Sequence, residues 1–257
     1  LEDGINYNDD TSKAILVLSA PHKDFIYVAG DFNFWSPTSQ YAMKKDSTSE
    51  RFWLEMEGLD PGEIYTYQYW VSDLSPIDES PSLVKTADPF STMVLSPFDD
   101  PWIPETSYPN LPEYPYDFGI EREVTVLKTG QEPYNWQVED FDKPKEEDLI
   151  IYEVLIRDFD NERTFQNLIN RIDYFKDLNI NAIELMPVME YEGNESWGYN
   201  TAFHMSVDKF YGPEEKLKEF IDLCHQNGIA VIFDLVMNHV MGRSPMNRMW
   251  MNDPDGN

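Results

Sequence analysis

Among 257 residues there is a single cysteine, Cys224, so no internal disulfide can staple the chain and its redox compartment stays open. Basic residues are scarce: 19 Lys and Arg stand against 48 Asp and Glu, giving a net charge of −29. Nucleic acid and anionic membrane would be repelled where a basic protein gains from counterion release, so both are excluded as partners. A neutral or cationic polymer fits, although the same carboxylate excess also keeps a protein in solution. No apolar run reaches the roughly 18 residues of a membrane span. The start, Leu1-Glu2-Asp3, lacks the basic and apolar regions of an export signal, which is expected to have been removed or never to have existed. The four histidines are scattered without zinc-ligand spacing, and no glycine-rich phosphate loop or nucleophile motif occurs.

What is present divides in two. Ala14 to Leu18, Phe25 to Ala29, Phe52 to Met56 and Ile64 to Val71 read as short strands, with Gly58-Leu59-Asp60-Pro61-Gly62 as a turn, and predict an immunoglobulin-like β-sandwich over residues 1–96. Residues 97–147, with prolines at 97, 101, 104, 109, 112 and 115, read as an extended connector containing one short strand, Glu123 to Leu127. Trp35, Tyr65, Tyr67, Tyr69 and Trp70 are candidates for a sugar-stacking surface or for core, since alternation places the three tyrosines on one sheet face.

Over residues 148–257 strand and helix patterns alternate. Leu149 to Ile156, Ile180 to Met186 and Ile229 to Val236 are apolar runs of strand type. Thr164 to Leu178 repeats apolar residues at Phe165, Leu168, Ile169, Ile172 and Phe175. A second helix opens at Pro213, buries Leu217, Phe220, Ile221 and Cys224, and ends at Gly228. This β-α-β-α-β run predicts parallel strands, with no third helix after the third strand. An open edge would then remain, for a partner chain or further sequence to cover. The link from Pro187 to Gly212 is long and aromatic, as functional loops are.

FDLVMNH, Phe233 to His239, sets Asp, Asn and His at the end of the third strand in the spacing D-x-x-x-N-H. With IYEVLIRDF (Ile151 to Phe159), INAIELMPVME (Ile180 to Glu190), WGYN (Trp197 to Asn200) and YGPEEKLKEFIDLCHQNGIAVIFD before it, this segment resembles the α-amylase superfamily, in its bacterial α-amylase-like and branching-enzyme-like members. IYVAGDFNFWSP (Ile26 to Pro37) resembles the N-terminal sandwich of those enzymes, which is related to glycogen-binding modules. The resemblance implies a multidomain β plus α/β chain: the sandwich, followed by the first three βα units of a TIM-type barrel, truncated before the rest.

It also implies an α-glucan as partner, a retaining mechanism on α-glucosidic bonds, and a secreted or periplasmic location. The nucleophile and acid of the family lie on later strands, so no catalytic residue is assigned, and the chain by itself is expected to be inactive. Glu184, Glu190 and Glu192 do not match those motifs. The resemblance assigns Tyr199 as the ring under the sugar, His239 as its hydrogen-bonding partner and Asp234 as the support beneath, with Trp197 either a loop anchor or a glucan contact. Asn238 matches a calcium ligand of many members. The segment Asn238 to Trp250 favours hydrolysis over branching; a non-catalytic glucan-binding protein and a small doubly wound enzyme completed by oligomerisation are the other readings.

Overall fold

The computed structural model describes residues 1–76 and 81–250, so the last seven residues of the predicted barrel segment lie outside the described residues. The N-terminal region forms two antiparallel sheets. In one, β1 (Gly4–Tyr7), β2 (Lys13–Ser19), β4 (Lys44–Lys45) and β5 (Arg51–Glu57) lie in the order β1-β2-β5-β4. In the other, β3 (Phe25–Gly30), β6 (Tyr65–Ser72), β8 (Val94–Leu95) and β9 (Val124–Leu127) run in the order β3-β6-β9-β8, with β7 (Leu83–Thr86) paired to β6. Period-two alternation aims Ala14, Leu16 and Leu18 of β2 and Phe52, Leu54 and Met56 of β5 at Ile26 and Val28 of β3 and Tyr67, Tyr69 and Val71 of β6, forming one shared core.

Two expectations change here. The second sheet does not end at residue 96, because β9 pairs with both β6 and β8 and carries the sandwich through to Leu127. Pro-rich spacing hid this, since the strand that completes the sheet follows a long excursion. The aromatic candidates are largely inside. Tyr67 and Tyr69 are fully buried and both donate hydroxyl hydrogen bonds to Asp88 Oδ2 at 3.0 Å. Trp35 is buried and donates its indole N–H to Asp31. Tyr65 packs against the core, and Trp70 lies beneath the Lys85 ammonium, 3.9 Å from ring to nitrogen.

The second region follows the predicted alternation. β10 (Ile151–Val154), β11 (Ala182–Leu185) and β14 (Ala230–Phe233) form a parallel sheet in the order β10-β11-β14. After β10 come α1 (Ile156–Phe159), α2 (Phe165–Asn170) and α3 (Ile172–Asp177). The single helix expected over 164–178 is therefore broken at Arg171, whose N–H is shared between the carbonyls of Asn167 and Leu168 while its guanidinium turns back to Asp160. Phe165, Leu168 and Phe175 are still buried together. Thr164 caps α2 by accepting from the Asn167 N–H at 3.1 Å.

α4 (Glu214–Gln226) buries Leu217, Phe220 and Cys224 as predicted, and burial pushes the Cys224 thiol up to about 12, leaving it an inert packing group. The long link between β11 and α4 holds a hairpin of β12 (Met189–Tyr191) and β13 (Thr201–Val207). A short α5 (Pro245–Trp250) follows β14 where no helix was expected. It packs away from the parallel sheet: Met249 is buried in the sandwich core, and the Trp250 indole donates to the Pro21 carbonyl at 3.0 Å. Among the described residues, no helix is long and apolar enough to cross a membrane.

Candidate functional site

The C-terminal ends of β10, β11 and β14 open onto two loops, one running from 186 into the hairpin and the other from 234 to α5. The first is shaped by Gly198. Its φ of +92° suits glycine, and a Cβ there would sit 2.4 Å from the Pro187 carbonyl oxygen, so only a bare backbone brings WGYN this close to the strand end. Ser196 closes the turn by accepting from the Gly198 N–H at 2.9 Å and by a hydrogen bond to Asn200. The Asn200 amide in turn donates to the Glu192 carbonyl at 2.9 Å.

Held this way, Tyr199 donates its hydroxyl to Asp234 Oδ2 at 2.6 Å. The hydrogen bond to this carboxylate, with some burial, pushes the Tyr199 phenol up to about 12, so it is a proton donor at neutral pH. The Asp234 backbone N–H continues the ladder by donating to Leu185 at 3.0 Å. Asp234 therefore belongs to the sheet through its main chain and to the loop through its side chain. Tyr199 keeps two-fifths of its surface exposed, and Trp197 is more exposed still.

The second loop is tied to the first by the Met241 N–H, which donates to the Thr201 carbonyl at 3.2 Å. His239 and Tyr199 each lie two residues before this tether. Asn238 and His239 are exposed, and neither side chain makes a hydrogen bond among the described residues. Tyr199 and Asp234 are thus brought into contact, and His239 lies on the tethered loop two residues before Met241. Asn238 offers one amide oxygen; no group of three or more His, Cys, Asp or Glu converges there among the described residues, well short of the six to eight oxygens calcium takes.

Of the three glutamates set aside in the sequence, Glu184 stands in register with Glu153 across β10 and β11. Glu190 is not in a loop but on β12, buried against Lys209, and burial pushes its carboxyl up to about 7. Lys209 also reaches Asp100 of the connector at 3.2 Å. Glu192 accepts from the Arg243 N–H at 2.7 Å, a link no sequence pattern announced. A cavity of about 570 Å³ lies away from the strand ends, along the connector between Tyr108, Tyr114 and Tyr116.

The family described as "Alpha amylase, catalytic domain" matches residues 156–249. Malto-oligosyltrehalose trehalohydrolase of Saccharolobus solfataricus is 38% identical over 107 residues, covering 42% of this chain and 19% of that protein. The 1,4-alpha-glucan branching enzyme GlgB of Chlamydia caviae is 29% identical over 234 residues, covering 88% of this chain and 28% of that one. Among solved structures, a putative alpha amylase from Salmonella typhimurium superposes with a TM-score of 0.71 at 20% identity, over 96% of this chain and 35% of its own. The chain spans a third or less of the length of these two enzymes. The family match spans residues 156–249 and takes in both loops and the Tyr199–Asp234 contact; with the trehalohydrolase and branching-enzyme relatives it supports an α-amylase superfamily member, of whose catalytic domain this segment is a part.

Proposed function

We propose that this chain is the N-terminal part of a retaining α-glucan hydrolase and that it supplies one wall of the sugar site. The observation that carries the reading is the 2.6 Å hydrogen bond from Tyr199 to Asp234 at the mouth of the parallel sheet. It holds an exposed phenol ring with one face free for the C–H face of a pyranose, while its hydroxyl is already satisfied. His239, on the loop tethered to Thr201, hydrogen-bonds the same sugar, and Asp234 fixes the ring from below. Trp197, half or more exposed beside them, extends the aromatic wall.

In this reading the nucleophile and the acid come from barrel strands outside residues 1–257, so the chain alone binds but does not cleave. The N-terminal sandwich is immunoglobulin-like and related to glycogen-binding modules, but its role is structural, because Trp35, Tyr67 and Tyr69 are buried. Calcium would draw on Asn238 for one oxygen only, and no step depends on it. Hydrolysis is preferred over branching from the sequence of 238–250, and the relatives include both a trehalohydrolase and a branching enzyme.

The test is release of reducing ends from amylose by the gene's complete product, with Tyr199→Ala and His239→Ala as variants. Loss of about a hundredfold or more in kcat/KM in both supports the reading. Branch formation without net hydrolysis moves the assignment to a transglycosylase, and turnover by residues 1–257 alone refutes the placement of the catalytic groups.

A further inference from the structure

A second pocket, far in character from the acidic surface around it, lies where the sandwich, the connector and α5 meet. It encloses about 330 Å³ and is lined by Gln68, Lys85, Glu121, Arg122 and Arg248. Three of the chain's 19 cations therefore converge on one cavity in a protein with 48 carboxylates. Among the described residues, none of the three forms an ion pair. Their direct contacts are with neutral groups, while the buried Glu123 carboxyl acts on Arg248 from farther off: Lys85 lies over the Trp70 ring, Arg248 donates to the Lys85 carbonyl at 2.6 Å, and Arg122 faces the ring of Phe98 at 6.0 Å.

The backbone holds the cluster in place. Buried Gln68 donates to the carbonyls of Arg122 and Glu123 at 3.2 and 2.9 Å, and the Tyr114 hydroxyl donates to the Arg122 carbonyl at 2.6 Å. Arg122 is thus fixed by its main chain while its guanidinium stays available. Burial, and next the charge of Arg122, pull the Arg248 guanidinium below its usual range, which marks like charges held together in a partly desolvated place. Glu121 lines the pocket but forms no ion pair with any of the three, and the buried carboxyl of Glu123 is 3.8 Å from Arg243.

We propose that this junction binds a phosphate-type oxyanion, as inorganic phosphate or as the phosphate monoester of a sugar, gripped by Lys85, Arg122 and Arg248. A planar guanidinium pairs with such an anion through two parallel N–H bonds, and a tetrahedral dianion can meet three donors from different directions. The volume accommodates a small phosphorylated ligand. Because the three cations come from β7, the connector and α5, the bound anion braces the sandwich against the segment that follows the third barrel strand.

The inference does not depend on the sugar site, and its test reads binding to residues 1–257 directly. Calorimetric titrations with inorganic phosphate, glucose 6-phosphate and glucose are run at one ionic strength fixed with chloride, since screening alone would mimic a loss. Saturable binding of either phosphate, with none for glucose, supports the site. The Arg122→Gln/Arg248→Gln pair then weakens it by about tenfold or more. Lys85→Gln, on an exposed side chain, weakens it severalfold with an unchanged melting temperature, which separates lost contacts from lost fold. Tighter binding of glucose 6-phosphate than of phosphate identifies the monoester as the source, and equal binding identifies the free ion. No saturable heat with either phosphate, or heats unchanged in both variants, overturns the proposal.

Discussion

The backbone N–H of Arg243 donates to Glu192 Oε1 at 2.7 Å, joining the loop after β14 to the loop that leads to Tyr199. The Arg243 guanidinium continues outward to Asp99 and lies 4.6 Å from the Phe98 ring, while Asn194 donates to the Asp99 carbonyl at 2.9 Å. One arginine therefore fastens both site loops to the connector. Glu192→Ala leaves an N–H and a loop unheld, and about 1 to 3 kcal/mol of stability should be lost. Amide exchange in residues 234–242 should accelerate in this variant while exchange in β2 and β5 is unchanged.

Gly198→Ala should be among the more damaging single changes near the site. The added methyl meets the Pro187 carbonyl oxygen and a positive φ together, so the turn must move rather than relax in place. A loss of about 2 to 4 kcal/mol is expected. Near-ultraviolet circular dichroism should change with it, because Trp197 and Tyr199 flank the position.

Stability should fall as pH rises from about 4 to about 7. Asp88, buried between Tyr67 and Tyr69, has its carboxyl raised from 3.8 to about 6 by desolvation, and Glu190 is raised from 4.5 to about 7 for the same reason. In each window the folded state holds a proton that the unfolded state has released, so stability is fully present below the unfolded value and is lost on passing the folded one. Urea midpoints measured across this range should decline, and Asp88→Asn should flatten the portion between about 4 and 6.

Lys209→Met removes the cation that faces Glu190 and Asp100 inside the fold. Without that charge both carboxyls shift further upward, so folding at neutral pH must either bury an unpaired carboxylate or take up a proton, at about 3 to 5 kcal/mol in denaturant titrations. Part of that loss should return near pH 5, where Glu190 is protonated in the folded state.

The elements with a clean period were readable from the residues alone. β10, β11, β14 and α4 appear within two or three residues of their predicted bounds, because continuous apolar strands and an i, i+3, i+4 stripe leave little choice. The hairpin of β12 and β13 was not readable: register shifts on either side of Glu190 break the alternation that would have announced it. β9 was visible as a strand but not as the partner of β6, since pairing between residues 65–67 and 125–127 is a matter of tertiary packing. α5 carries Met249 and Trp250 into a core formed some two hundred residues earlier, which no local pattern encodes. At the site, Tyr199, Asp234 and His239 stood out through their motifs, whereas Glu192 and Arg243 act through a main-chain N–H that every residue possesses.

The most direct measurement is a titration of maltoheptaose into residues 1–257, followed by backbone amide shifts in nuclear magnetic resonance. Perturbations should gather at 197–201 and 234–241, on the two loops joined through Thr201 and Met241, and should vanish from both in Tyr199→Ala. Saturable shifts confined to the tyrosine-lined connector around 108–116, with both loops silent, would contradict the placement of the sugar site.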